Sequence, residues 1–240
     1  MRTRHWFGAP VALIDFETDG TDPMTCNPLQ VAVYHFDLGS TEPPVEVCNT
    51  MIRSEAPIDP AATAIHGITN EMVADAPTTR AVATMLADLF EGRVVAAYNL
   101  SYDWPILRRI LRSAGFFEDV PAFPGLDPLV WHRKMSNRWA GKLVDVCAKY
   151  GIVLDGAHAA SADAMASSRL CSAMAVAMSR QRLIGERTTV GDMLSLQNGW
   201  ATRQEAEMKA FFEGKGQSFN AGWAACQRIA IEDAIGVIHE

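Results

Sequence analysis

Asp15 and Glu17 stand one residue apart at the end of a short apolar run, residues 11–16, that reads as a β-strand. The two-residue pleat puts both carboxylates on one face of that strand. Asn99 and Asp103 follow a second buried-looking strand, residues 94–98, and open a helix four residues apart. His158 and Asp163 lie five apart, where a loop meets a long alanine-rich helix. Each pair alone fits a plain role: a solvated strand end, a first-turn acid, an N-terminal cap.

Together they pose an electrostatic problem. Two carboxylates ~4 Å apart repel by ~4 kcal/mol at an effective dielectric of ~20. Four converging carboxylates without a cation raise their own pKa values or push apart. Hard divalent cations resolve the conflict, and an all-oxygen donor set with no Cys and at most one His suits Mg²⁺ or Mn²⁺ better than Zn²⁺. Two such ions ~3.5–4 Å apart form the clamp used for in-line displacement at phosphorus. A histidine beside them is suited to act as general base.

The elements that must position these groups follow from periodicity. Residues 11–16, 29–36 and 45–52 read as three strands separated by Gly39 and Pro43-Pro44, an antiparallel meander. Val82, Met85, Leu86 and Leu89 then recur at helical spacing across residues 78–90, before the strand at 94–98. Further helices are expected at 104–113, with Pro105 in the first turn, at 142–150 and at 161–182, with a short strand at 122–126. Meander first and alternation later make a mixed α/β sheet. From Ile184 the pattern is all-helical, with segments at 193–213 and 221–238, so the chain divides into residues 1–183 and a helical C-terminal extension, 184–240.

Composition narrows the function classes. The chain has 240 residues, 49% of them apolar and 20% charged, which excludes a disordered chain. Its longest early uncharged stretch, residues 6–14, is half the ~18–20 residues a membrane span needs. No membrane is expected, and the cytoplasm is the default location. Cys26, Cys48, Cys147, Cys171 and Cys226 are odd in number and lack a Cys-x-x-Cys pair, so neither a disulfide framework nor a zinc site is expected. The net charge of −7 is unevenly spread: −9 over residues 1–103, +4 over 104–142 and −2 over 143–240. The positive segment, with Arg108, Arg109, Arg112, Arg133, Lys134, Arg138 and Lys142, is expected to line the path of an incoming strand.

Asp15-Phe16-Glu17-Thr18-Asp19-Gly20, then Ile65-His66-Gly67-Ile68-Thr69, then Asn99 to Asp103, then His158 with Asp163-Ala164 resemble, in that order, the motifs of the DEDDh 3′-5′ exonucleases. That group includes the proofreading epsilon subunit of bacterial DNA polymerase III, and the resemblance covers residues 10–180. It implies a ribonuclease H-like mixed five-stranded sheet flanked by helices. It also implies that Asp15, Glu17, Asp103 and Asp163 hold two Mg²⁺ (or Mn²⁺) with His158 as base, and that Thr18, His66 and Asn99 contact the terminal nucleotide. The activity implied is release of nucleoside monophosphates from a single-stranded or unpaired DNA 3′ end, with a DNA polymerase as partner if the chain proofreads. An RNA 3′-exonuclease and a non-catalytic nucleic-acid-binding module are the alternatives. Tyr98, Pro128 and Ala159 depart from the usual pattern at positions that bear on substrate preference.

Overall fold

A computed structural model describes residues 4–116, 125–139, 141–154, 156, 159–185 and 187–219. The first apolar run forms β1 (Pro10–Thr18), followed by β2 (Pro28–Asp37) and β3 (Val45–Met51) in an antiparallel meander. Short helices α1 (Pro60–His66) and α2 (Asn70–Ala74) lead to α3 (Thr79–Phe90), which returns the chain to β4 (Val94–Ala96), parallel to β1. Next come α4 (Leu100–Ser113), β5 (Gly125–Leu126), α5 (Pro128–Ser136), α6 (Leu143–Lys149), α7 (Ala160–Arg180) and α8 (Val190–Gly214). The strand order β3-β2-β1-β4-β5 confirms the mixed five-stranded sheet.

β1 serves two cores at once because its side chains alternate. Val11 and Leu13 enter one, Ala12, Ile14 and Phe16 the other, and none of the five is more than 5% exposed. Full burial of each large side chain contributes ~1.5–3 kcal/mol. The second face is covered by α3 and α4 through Val82, Leu86, Phe90, Ile106, Leu107 and Ile110. The first is covered by α7, whose Ala164, Ser167, Ser168, Cys171 and Ala175 are small enough to let the helix lie close against β1 and β2.

Several boundaries differ from expectation. α4 begins at Leu100, four residues early, so Pro105 stands inside the helix and not in its first turn. Asn99 adopts a left-handed backbone (φ 67°) that turns the chain directly out of β4 into the helix. β4 ends at Ala96, short of the expected 98. The short α1, α2 and α5 carry no long apolar period and are not among the expected helices. The strand expected at 122–126 is described only at Gly125 and Leu126, and the helix expected at 221–238 lies outside the described residues.

α8 packs on α5 and β5, and Met193, Leu194 and Ala201 join the same core as Val11 and Leu13. Its start is fixed by a reciprocal capping box between Thr189 and Asp192 and by the N-terminal segment, where Trp6 N donates to Thr188 O (3.0 Å). Cys26, Cys48, Cys147 and Cys171 are buried free thiols, and Cys226 lies outside the described residues. Among the described residues no helix is long and apolar enough to cross a membrane.

Candidate active site

The parallel ladder between β1 and β4 stops at Leu13 and Ala96, where β4 ends, while β1 runs on to Thr18. The first turns of α4 fill the gap. Phe16 N, which has no β4 carbonyl to meet, donates to Asp103 Oδ1 at 3.1 Å. One helix carboxylate thereby replaces a ladder acceptor and is carried to the edge of β1, where it is 3% exposed.

Alternation sets the rest. Asp15 and Glu17 continue the Val11 and Leu13 side, the face covered by α7, and Asp163 lies in the first turn of that helix. One carboxylate oxygen from each of Asp15, Glu17 and Asp163 falls within 4.8 Å of the others, and all three residues are partly buried. Burial first, then the charges of Asp103, Asp163 and Glu17, push the Asp15 carboxyl well above the usual range. Burial and Asp163 raise Glu17 to about 7. Asp103 is also raised, by burial above all, with the Phe16 amide opposing. Protons alone would answer this repulsion at the expense of the charge. Three hard oxygen donors with no sulfur or nitrogen among them fit a divalent cation, which would let all of them ionise.

His158, the expected base, lies outside the described residues. The Thr18 side chain is 8% exposed, with its hydroxyl 2.5 Å from that of Tyr102, which donates to Gly20 O at 2.7 Å. That contact pins the turn after β1 to α4 one residue before Asp103. Asp19 closes the same turn by accepting from Asn27 N (2.6 Å) and Asn27 Nδ2 (2.7 Å). His66 ends α1, away from the carboxylates in sequence, with its Nδ1 accepting from Ile68 N at 3.0 Å. Asn99 occupies the N-cap position of α4 but does not cap it through its side chain, whose Oδ1 accepts from the Ser101 hydroxyl at 2.7 Å. Arg109, expected along the strand path, instead donates to the Cys26 carbonyl and ties α4 to the loop after β1.

The capping is done by Asp127, which is not among the expected site residues. Its carboxylate accepts from Asn99 N (3.0 Å) and Leu100 N (3.1 Å) at the start of α4 and from Leu129 N (2.9 Å) at the start of α5. It is 2% exposed, and burial still outweighs those amides, raising its pKa to about 6. Asp127-Pro128 was the available signal, an N-cap acid followed by the proline favoured at the first helical position. Gln197 of α8 completes the arrangement: its Oε1 accepts from Asp127 N and Trp131 Nε1, both at 2.8 Å, and its Nε2 donates to Gly125 O at 2.9 Å. Nothing in the sequence marked it.

The exonuclease family model matches residues 12–171, from β1 into α7. An exonuclease of Escherichia phage 186 is 29% identical over 196 residues, covering 72% of this chain and 92% of the phage protein. A DNA polymerase III subunit epsilon-like protein of Rhodobacter capsulatus is 30% identical over 153 residues, 62% of this chain but 21% of that protein. Among solved structures, E. coli exonuclease I in complex with a dA16 oligonucleotide superposes with a TM-score of 0.61 at 20% identity, over 79% of this chain and 44% of that one. The chain thus spans most of the phage relative and less than half of the other two. The family match runs from the strand that carries the first carboxylate pair to the helix that carries the last, and this chain belongs to the exonuclease family, in the DEDDh, DnaQ-like superfamily of 3′-5′ exonuclease hydrolases.

Proposed function

We propose that this chain hydrolyses single-stranded or unpaired DNA from the 3′ end, one nucleoside 5′-monophosphate at a time. The observation that carries the reading is the convergence of Asp15, Glu17 and Asp163 within 4.8 Å, with Asp103 held against the edge of β1. Asp15, Glu17, Asp103 and Asp163 would hold two Mg²⁺ or Mn²⁺, which when bound supply Lewis acidity at the scissile phosphate and charge neutralisation for the departing oxygen. His158 would accept a proton from the attacking water, whose oxygen bonds to phosphorus as the bond to the 3′-oxygen of the preceding nucleotide breaks. That 3′-oxygen is protonated as it leaves. Thr18, His66 and Asn99 are assigned to the terminal nucleotide.

The named complex of exonuclease I with a DNA oligonucleotide favours DNA as substrate. The epsilon-like relative favours a polymerase as partner in proofreading. The test is digestion of matched DNA and RNA oligomers, single-stranded and with mismatched primer ends, in Mg²⁺. Asp15→Ala or Asp163→Ala is expected to abolish mononucleotide release, and His158→Ala to lower the rate strongly while Mg²⁺ binding by calorimetry is retained. Unchanged release from Asp15→Ala sinks the reading, and faster digestion of RNA replaces DNA as substrate.

A further inference from the structure

A second concave feature, of opposite charge, lies between α5 and α8. It encloses about 270 Å³ and is lined chiefly by Arg133, Lys134 and Arg138 from α5 and the turn after it, by Trp139, and by Trp200 and Arg203 of α8. Four of these six side chains are cations, in a chain whose net charge is −7, and Glu207 is the one carboxylate in the lining. Arg133 also faces the charge of Asp127, but gathering the other three cations around a hollow raises their mutual repulsion unless something anionic enters. Among the described residues neither Arg138 nor Arg203 has a salt-bridge partner.

The geometry of the lining is fixed. Asn137 takes a left-handed backbone (φ 52°) that folds the chain back after α5, and Arg133 Nε donates to Trp139 O at 3.2 Å, so the turn presents its indole beside the cations. Trp139 is 38% exposed. Lys134 Nζ lies 5.9 Å from the centre of the Trp200 ring, a cation over an aromatic face. Flat aromatic faces interleaved with cations hold a nucleic-acid single strand, through stacking on bases and pairing with phosphates. Asp127, the N-cap of α5, stands at the carboxyl end of β5, the same end of the sheet where Asp15 and Glu17 gather. At ~1.5 Å rise per residue, Arg133 lies ~9 Å along the helix from that end.

We propose that this pocket binds internal nucleotides of the single strand whose 3′ end reaches the carboxylate cluster. The assignment rests on the 3′-exonuclease reading for the path it gives the strand. It adds residues from α8, which lies beyond the family match at 12–171.

Two substrates separate the sites: a (dT)20 oligomer, long enough to reach both, and the p-nitrophenyl ester of thymidine 5′-monophosphate, which fills the carboxylate site alone. The Arg138→Glu/Arg203→Glu variant is expected to weaken (dT)20 binding at least tenfold by fluorescence anisotropy. Its salt slope should be shallower by ~1.4, since each phosphate contact to a single strand contributes ~0.7. Its ester hydrolysis should equal that of the wild type. Trp200→Ala should weaken (dT)20 binding ~5–10-fold, with Trp200→Phe restoring most of it. Unchanged affinity for (dT)20, equal losses on both substrates, or stronger competition by an acidic peptide than by the oligomer would each overturn the proposal. If the wild type cleaves neither substrate, the exonuclease reading fails, while the anisotropy comparison still decides the pocket.

Discussion

Two acidic sites lie at the carboxyl end of the same sheet, and they solve burial in opposite ways. Asp127 is 2% exposed and accepts three backbone amides, so its charge is spread over the starts of two helices. Asp15, Glu17 and Asp163 face one another within 4.8 Å, and Glu17 is raised to about 7 by burial and by Asp163. A carboxylate that meets donors fixes structure; carboxylates that crowd one another raise their own pKa values. Asp103 belongs to both kinds, taking the Phe16 amide on one oxygen while its charge acts on Asp15.

Substitutions should separate the two sites along that line. Asp15→Ala or Asp163→Ala is expected to reduce Mg²⁺-dependent mononucleotide release by at least ~10³-fold, while the metal-free melting temperature stays level or rises because a like-charge contact is gone. A large loss of metal-free stability would show that these carboxylates hold the fold, as Asp127 does. Asp127→Ala should do the reverse in stability, costing ~3 kcal/mol in chemical denaturation, since it leaves two helix starts uncapped and buried amides unpaired. Activity should fall with it, because α4 carries Asp103.

Mg²⁺ sharpens the contrast further. At a hundred times its Kd the ion is expected to stabilise the wild type by ~2.7 kcal/mol per site and Asp15→Asn far less, read as a shift in melting temperature. Equal shifts in both would move the ion elsewhere. The truncation Gln197→Ala, which removes an acceptor from Asp127 N and Trp131 Nε1, should cost ~1–3 kcal/mol and reduce activity only through the placement of α4.

The smallest effect is in pH dependence. Glu17, normally near 4.5, is raised to about 7, and Asp127 from 3.8 to about 6, so both bind a proton more tightly folded than unfolded. Their contribution to stability is full below the unfolded pKa and is lost as pH rises through the folded value. Metal-free melting temperatures should therefore fall between pH 5 and 7.5, less steeply in the Glu17→Gln variant, and saturating Mg²⁺ should remove the part due to Glu17. A rise across that window in the metal-free protein would contradict the crowded state of the cluster.

Much of this was legible in the chain. The alternation of residues 11–16 requires Asp15 and Glu17 to share a face, and meander-then-alternation requires a mixed sheet, because side-chain direction in a strand is a local property. Asp103 and Asp163 read as standing at helix starts because the apolar spacing after each is helical. Asp127 was written as Asp-Pro, a cap signal, but which helix it would cap beyond its own depends on α4 arriving beside β5. Gln197 carries no local mark at all, since its three hydrogen bonds reach residues about 70 positions away. The basic pocket divides the same way. Arg133, Lys134 and Arg138 were visible as a run of charge, whereas Trp200 and Arg203 join them only because α8 packs on α5. Periodicity and spacing along the chain are enough to specify which carboxylates share a strand face and in what order they come. Only the packing of distant elements sets which carboxylate accepts backbone amides and which faces its own kind, because burial and donor supply come from residues far apart in the chain.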